Sequence, residues 1–256
     1  MEVEILVMRQ LDLDQPDIEL SDSDAPSSVV VQWNYEGEER TTFLYAKQTL
    51  EFGRESTCNV CLRIEPVEAE KNKEATLKIS RRQFRLSVEN DVVQIVDPGS
   101  AYGTSVDANK LEPNKPFLLR SAETVTVADF LRLSVRIEKD GDKIHAIRFR
   151  RVNNLPGMEY VCLTGEGIID IGEDALLRLP IISNRQNRSR ALDIGQERIA
   201  GHPAVILVID GGIHIKRTGS DSIMVNQVEL TLNQSAPFPT NGVIHIGNSF
   251  FSITTL

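Results

Sequence analysis

The sequence predicts an all-β protein made of two β-sandwiches in tandem. Three observations carry this. Short apolar and β-branched runs recur between turns rich in Gly, Asn, Asp and Pro, as strands require. No stretch of about a dozen residues keeps a helical apolar period, so little helix is expected. The runs of the first half also return in the second at a nearly constant spacing of 119 residues, the distance from Gly53 to Gly172.

Taken in order, residues 1–28 hold eight acids, one base and two prolines, and read as a solvated acidic arm. Within it Val3, Ile5 and Val7 alternate as a short edge strand does. A first unit is expected over 29–140. Its strand signals include Val29–Trp33, Leu50–Gly53, Val92–Val96 and Val125–Val127. The charged turn Glu138–Lys143 is expected to join it to a second unit over 141–256. That unit carries strand signals at Ile169–Gly172, Ala204–Ile209, Ile213–Ile215 and Val243–Ile246. Across the repeat Leu50-Glu51-Phe52-Gly53 meets Ile169-Asp170-Ile171-Gly172. Val106-Asp107 meets Val225-Asn226, and Leu111 meets Leu230.

Charge and composition narrow the function. Lys and Arg number 28 against 37 Asp and Glu, a net charge of −9. Such a chain lacks the basic footprint of a general nucleic-acid binder, so no nucleic-acid partner is expected. No apolar run approaches membrane-spanning length, so no membrane partner is expected either. The opening Met1-Glu2-Val3-Glu4 has no basic flank or long apolar core, and the cysteines are only Cys58, Cys61 and Cys162. Both features suit a reducing, cytoplasmic setting. The pair Cys58-Asn59-Val60-Cys61 has no second Cys pair or His cluster to complete a zinc site, and is read as reduced and partly buried. No phosphate-binding Walker loop, hydrolase elbow or metalloprotease motif occurs, so neither an enzyme nor a cofactor is expected.

Three loop motifs carry the chemistry. They are Phe52-Gly53-Arg54-Glu55, Ile79-Ser80-Arg81-Arg82-Gln83-Phe84 and Asp97-Pro98-Gly99-Ser100-Ala101-Tyr102-Gly103-Thr104-Ser105-Val106. Together they offer arginine forks, a serine hydroxyl and turn glycines. This is equipment for holding an oxyanion, without a nucleophile and base pair.

In this order the motifs resemble those of the forkhead-associated (FHA) family, β-sandwiches that bind phosphothreonine peptides. The resemblance covers roughly residues 43–137. It implies that Arg54 holds phosphate, that Ser80 donates to a phosphate oxygen, and that Arg81 is a further polar contact. Gly53 and Gly103 match turn glycines. Gln83 stands where the family has a mainly structural His. Tyr102 stands where the family has an Asn that grips the peptide backbone, and Thr104 follows in the same loop. The expected phosphopeptide-binding set is therefore Arg54, Ser80, Arg81, Tyr102, Gly103 and Thr104. The expected partner is a phosphothreonine-containing protein, a Ser/Thr kinase or its substrate, bound by a signalling adaptor.

The second copy departs further from the pattern. Glu173 follows Gly172 where arginine belongs, the Ser-Arg step reads Ile199-Ala200-Gly201-His202, and Asp221 fills an Asn position. Gly172, His202 and Asn226 keep structural places. Two acids at such a mouth repel a dianion, so this copy is read as structural. Arg185, Arg188 and Arg190 before it read as a solvated loop. The alternative function is a phosphate-independent scaffold or assembly component built on both sandwiches.

Overall fold

The computed structural model describes residues 25–35, 38–154, 158–164, 169–171, 177–178, 204–246 and 249–256. The acidic arm up to residue 24 lies outside them. The first half contains β1 (Ser28–Tyr35), β2 (Glu38–Tyr45), β3 (Thr49–Gly53), β4 (Val60–Cys61), α1 (Glu70–Lys78), β5 (Phe84–Glu89) and β6 (Val92–Val96). It continues with β7 (Thr104–Val106), β8 (Asn109–Lys110), β9 (Phe117–Leu118), β10 (Thr124–Val127) and β11 (Leu131–Asp140). The second half contains β12 (Lys143–Arg151), β13 (Met158–Leu163), β14 (Ile169–Ile171), β15 (Leu177–Arg178), β16 (Ala204–Ile209) and β17 (Gly212–Arg217). It ends with β18 (Ile223–Val225), β19 (Val228–Glu229), β20 (Ser235–Pro237), β21 (Asn241–Ile246) and β22 (Ser249–Thr255). The all-β expectation holds, with α1 as the one helix among the described residues.

Three sheets form. A five-stranded sheet in the order β4-β3-β5-β6-β9 belongs to the first half, and another in the order β15-β14-β16-β17-β20 to the second. The two orders match element for element. A twelve-stranded sheet, β19-β18-β21-β22-β1-β2-β13-β12-β11-β10-β7-β8, runs through both halves. Its order also reads alike from either end, with β2 and β13 at the centre.

The first hairpin of each half lies against the last strand of the other. β12 pairs with β11, and β1 pairs with β22. Local geometry explains the exchange. The turn expected to join two units is the tip of the β11–β12 hairpin, where Asp140 pairs with Lys143 across Gly141 at φ 58°. So short a loop forces its flanking strands together. β12 is thereby held on β11, and the edge of β22 is filled by β1. The central pair β2 and β13 is parallel. A two-fold along the strand direction accounts for that, and it places the smaller sheets on opposite faces of the long one.

Side-chain alternation bears this out. Phe43 and Tyr45 of β2 face the first core, and Leu44 faces the second. In β13 Tyr160 and Cys162 face the first core, and Val161 and Leu163 the second. Strands buried on both faces read as continuous apolar runs, as Tyr160-Val161-Cys162-Leu163 does. A bulge opposite Glu138 and Lys139 leaves His145 as the extra residue of β12. Ile144 and Ile147 can then both enter the first core. A stack of Phe52 on Phe84, with centroids 4.3 Å apart, fills its middle.

The helix α1 was not predicted because its face carries no apolar stripe, and none of its residues is buried. Glu70 in its first turn and Lys78 in its last suit the helix dipole. Its C-terminal end is tethered. Ile64 N–H donates to Thr76 Oγ1 at 2.9 Å, and the following Ile79 is fully buried.

Candidate functional site

The end of β3, the stretch before β5 and the loop before β7 meet at one end of the first half. Gly53 makes the meeting possible. A Cβ there would lie 2.0 Å from the Arg81 carbonyl oxygen, so only glycine lets the two chains approach. The contact is fastened by Arg54 N–H to Ser80 O at 3.1 Å and Glu55 N–H to Arg81 O at 3.2 Å. Arg54 and Ser80, distant in sequence, thus become neighbours.

Gln83 ties the third loop in. It is fully buried. Its Oε1 accepts from Ser80 N–H at 2.8 Å, which fixes the backbone that carries the Ser80 hydroxyl. Its Nε2 faces Ser100 Oγ at 2.9 Å, Gly103 O at 2.9 Å and Thr104 Oγ1 at 3.1 Å. An amide therefore does here what the sequence reading assigned to an imidazole. Asp97, also buried, gathers the loop: it accepts from Gly99 N–H, Ser100 N–H and Ser100 Oγ. Gly99 at φ 97° and Gly103 at φ 84° supply the left-handed turns. Ser80 Oγ accepts from Ala101 N–H at 2.9 Å, which leaves its proton to donate outward.

The result is an open, mostly polar pocket of about 570 Å³ lined by Arg54, Glu55, Ser80, Arg81, Arg82 and neighbours. Three arginines against one glutamate make it cationic. Arg54 Nε is buried and has no hydrogen-bond partner among the described residues. Arg82 is partly engaged by Glu51 at 3.7 Å, an exposed pair of little worth.

Arg54, Ser80 and Arg81, expected together, are brought together. Tyr102 is half-exposed in the loop before β7, and Gly103 follows it at φ 84°. Thr104 needs correction: it is fully buried with its hydroxyl on Gln83, so it supports the loop from inside and cannot touch a peptide. In the second half Asn226 is an exposed turn residue whose Oδ1 accepts from Val243 N–H at 3.3 Å, just as Asp107 accepts from Thr124 N–H at 2.9 Å. Gly172, Glu173, His202 and the Arg185–Arg190 stretch lie outside the described residues.

Sequence reasoning missed two neighbours. Leu77 of α1, largely exposed, lines the pocket. Lys110 lies over Gly103, where an added Cβ would meet its Cε at 2.6 Å. Nothing in a helix without an apolar stripe or in a two-residue strand marks either.

Residues 50–128 match the family model described as the FHA domain, and that span contains every residue of the pocket. No curated protein matches the chain. Several solved structures do. One, described as a structural and functional analysis of phosphothreonine-dependent FHA domain interactions, is 19% identical over 44% of this chain and 99% of that one, with a TM-score of 0.31. The FHA domain of a Chlamydia trachomatis protein is 19% identical over 40% of this chain and 91% of its own, with a TM-score of 0.27. The N-terminal FHA domain of S. cerevisiae Rad53p, in complex with a phosphothreonine peptide, is 20% identical over 38% and 81%, also at 0.27. By its family match the stretch 50–128 is similar to FHA domains. No helix among the described residues is long and apolar enough to cross a membrane.

Proposed function

We propose that this chain is a phosphothreonine-dependent protein-binding adaptor that reads its partner through the loops of the first half. FHA domains are modules that bind phosphothreonine peptides, and the span 50–128 is similar to them. The single observation that carries the proposal is the convergence of Arg54, Ser80 and Arg81 on one cationic pocket, where Ser80 Oγ accepts from Ala101 N–H and keeps its proton to donate. A phosphoryl group with charge of about −1.5 to −2 calls for several such donors at once. Arg54 would supply a planar fork, Ser80 a hydroxyl proton and Arg81 a second charge. No bond is made or broken, and none of these groups needs a cofactor. The partner is a phosphothreonine-containing protein, a Ser/Thr kinase or its substrate.

In this reading 141–256 is a second, degenerate FHA-like unit with a structural role. The matching strand orders of the two smaller sheets support it. The hairpin Lys143–Leu163 then serves both units, since its two faces enter both cores. A phosphate-independent scaffold is the second reading. The largely exposed Leu77 that lines the pocket and the half-exposed Tyr102 of the loop before β7 favour it. The test is a calorimetric titration of the full chain with a phosphothreonine peptide library and unphosphorylated twins. Binding confined to phosphorylated members supports the adaptor. Equal binding of both forms supports the scaffold.

A further inference from the structure

Cys58 and Cys61 take no part in holding phosphate, yet both thiols end on the backbone that does. Cys58 Sγ donates to the Arg81 carbonyl at 3.2 Å, and Cys61 Sγ to the Arg54 carbonyl at 3.5 Å. The two acceptors stand on either side of one peptide unit. The N–H of the Arg54–Glu55 peptide donates to that same Arg81 oxygen at 3.2 Å. Both cysteines also line one cleft of about 320 Å³, beside Tyr45, Lys47 and Tyr160. Their sequence spacing is that of a vicinal dithiol. The third cysteine differs: Cys162 is buried on β13 and donates to Lys47 O, and burial pushes its thiol up to about 12.

We propose that Cys58 and Cys61 form an oxidisable dithiol that tunes the phosphopeptide site. The inference rests on the function proposed above. Cys61, the less buried of the two, reacts first with a hydroperoxide. Its thiolate attacks the O–O bond, giving a sulfenic acid and, after protonation, one molecule of water. The Cys58 sulfur then displaces the hydroxyl from Cys61. The S–S bond forms, and the Cys58 proton leaves with that hydroxyl as a second water. Two thiols and one hydrogen peroxide thus become one disulfide and two waters, with two electrons passing to the peroxide. Burial and the nearby Glu51 raise Cys58, which suits a resolving thiol, not an attacking one.

The consequence is local. A disulfide has no S–H, so the Arg54 and Arg81 carbonyls both lose a donor. The strand ends that present the two arginines loosen, and phosphopeptide affinity falls roughly two- to tenfold, the worth of one ordinary hydrogen bond.

The full chain is treated with hydrogen peroxide, mapped by mass spectrometry, and titrated with a phosphothreonine peptide before and after reduction with dithiothreitol. Backbone amide NMR shifts of Arg54, Glu55 and Arg81 are followed in parallel. The expected result is a Cys58–Cys61 disulfide, reversible weakening, and loss of both effects in Cys58→Ser and Cys61→Ser, with Cys162→Ser still responsive. Absence of the disulfide, or its formation without amide shifts, overturns the proposal. Failure of the reduced protein to bind any phosphopeptide would count against the adaptor function alone, because mapping and amide shifts judge the dithiol without it.

Discussion

The loop before β7 and the loop before β18 occupy matching places in the two halves, and their polar logic is reversed. In the first half an acid gathers amide protons: Asp97 accepts from Gly99, Ser100 and the Ser100 hydroxyl. In the second an arginine gathers carbonyls. Arg217 donates to Ser220 O at 2.9 Å and Leu230 O at 2.7 Å, with Glu229 at 3.2 Å. Thr104, whose hydroxyl joins the Gln83 network, is matched by Ile223, which has nothing to donate. The cation of the first loop system, Arg54, has a buried Nε with no partner among the described residues, whereas Arg217 spends its donors on its own loop.

The sharpest separation of the halves would be independent unfolding, and the exchanged hairpins argue against it. Leu86→Ala in the first core and Ile206→Ala in the second each remove a fully buried side chain, at about 2–5 kcal/mol. Both are expected to lower one shared calorimetric transition. Two transitions, each moved by only one variant, would show that the halves fold separately.

Next in size is the hub. Gln83→Leu strands Ser80 N–H and the Gly103 carbonyl inside the domain, at a cost of roughly 2–5 kcal/mol, and should weaken phosphopeptide binding with it. Gln83→His should retain most of both, and chemical denaturation with titration reads the pair. The counterpart is Arg217→Met, expected to cost about 1–3 kcal/mol of stability through its abandoned carbonyls while leaving phosphopeptide affinity unchanged. A loss of affinity there would mean that the second loop system takes part in binding. The smallest effect is at Tyr102→Asn. If the phenol hinders the peptide backbone, affinity should rise severalfold, roughly the 0.5–1.5 kcal/mol of one hydrogen bond. An unchanged isotherm would show that the peptide passes clear of residue 102.

How much of this was legible beforehand follows from what each signal encodes. Alternation and turn residues marked the strands, and the 119-residue spacing is seen again in the paired turns at Asp107 and Asn226. The grouping of Arg54, Ser80 and Arg81 was legible because the motifs sit at strand ends and Gly53 permits their contact. Strand pairing was not legible. A period of two says which residues share a face, and it names no neighbouring strand. The tight turn at Gly141–Asp142 was the clue to the exchange, and it was read as a junction. Thr104 was misplaced because a loop motif does not tell which of its side chains turn inward.

The central claim is that phosphate recognition belongs to one loop system alone. An amide NMR titration of the full chain with a single phosphothreonine peptide tests it directly, run for wild type and Arg54→Ala. The account predicts shifts at Arg54, Ser80, Arg81 and Ala101, silence across Arg217–Asn226, and roughly ten- to a hundredfold weaker binding for Arg54→Ala, the worth of a charge-assisted contact. Equal binding by the two proteins, or shifts centred on Arg217–Asn226, would contradict it.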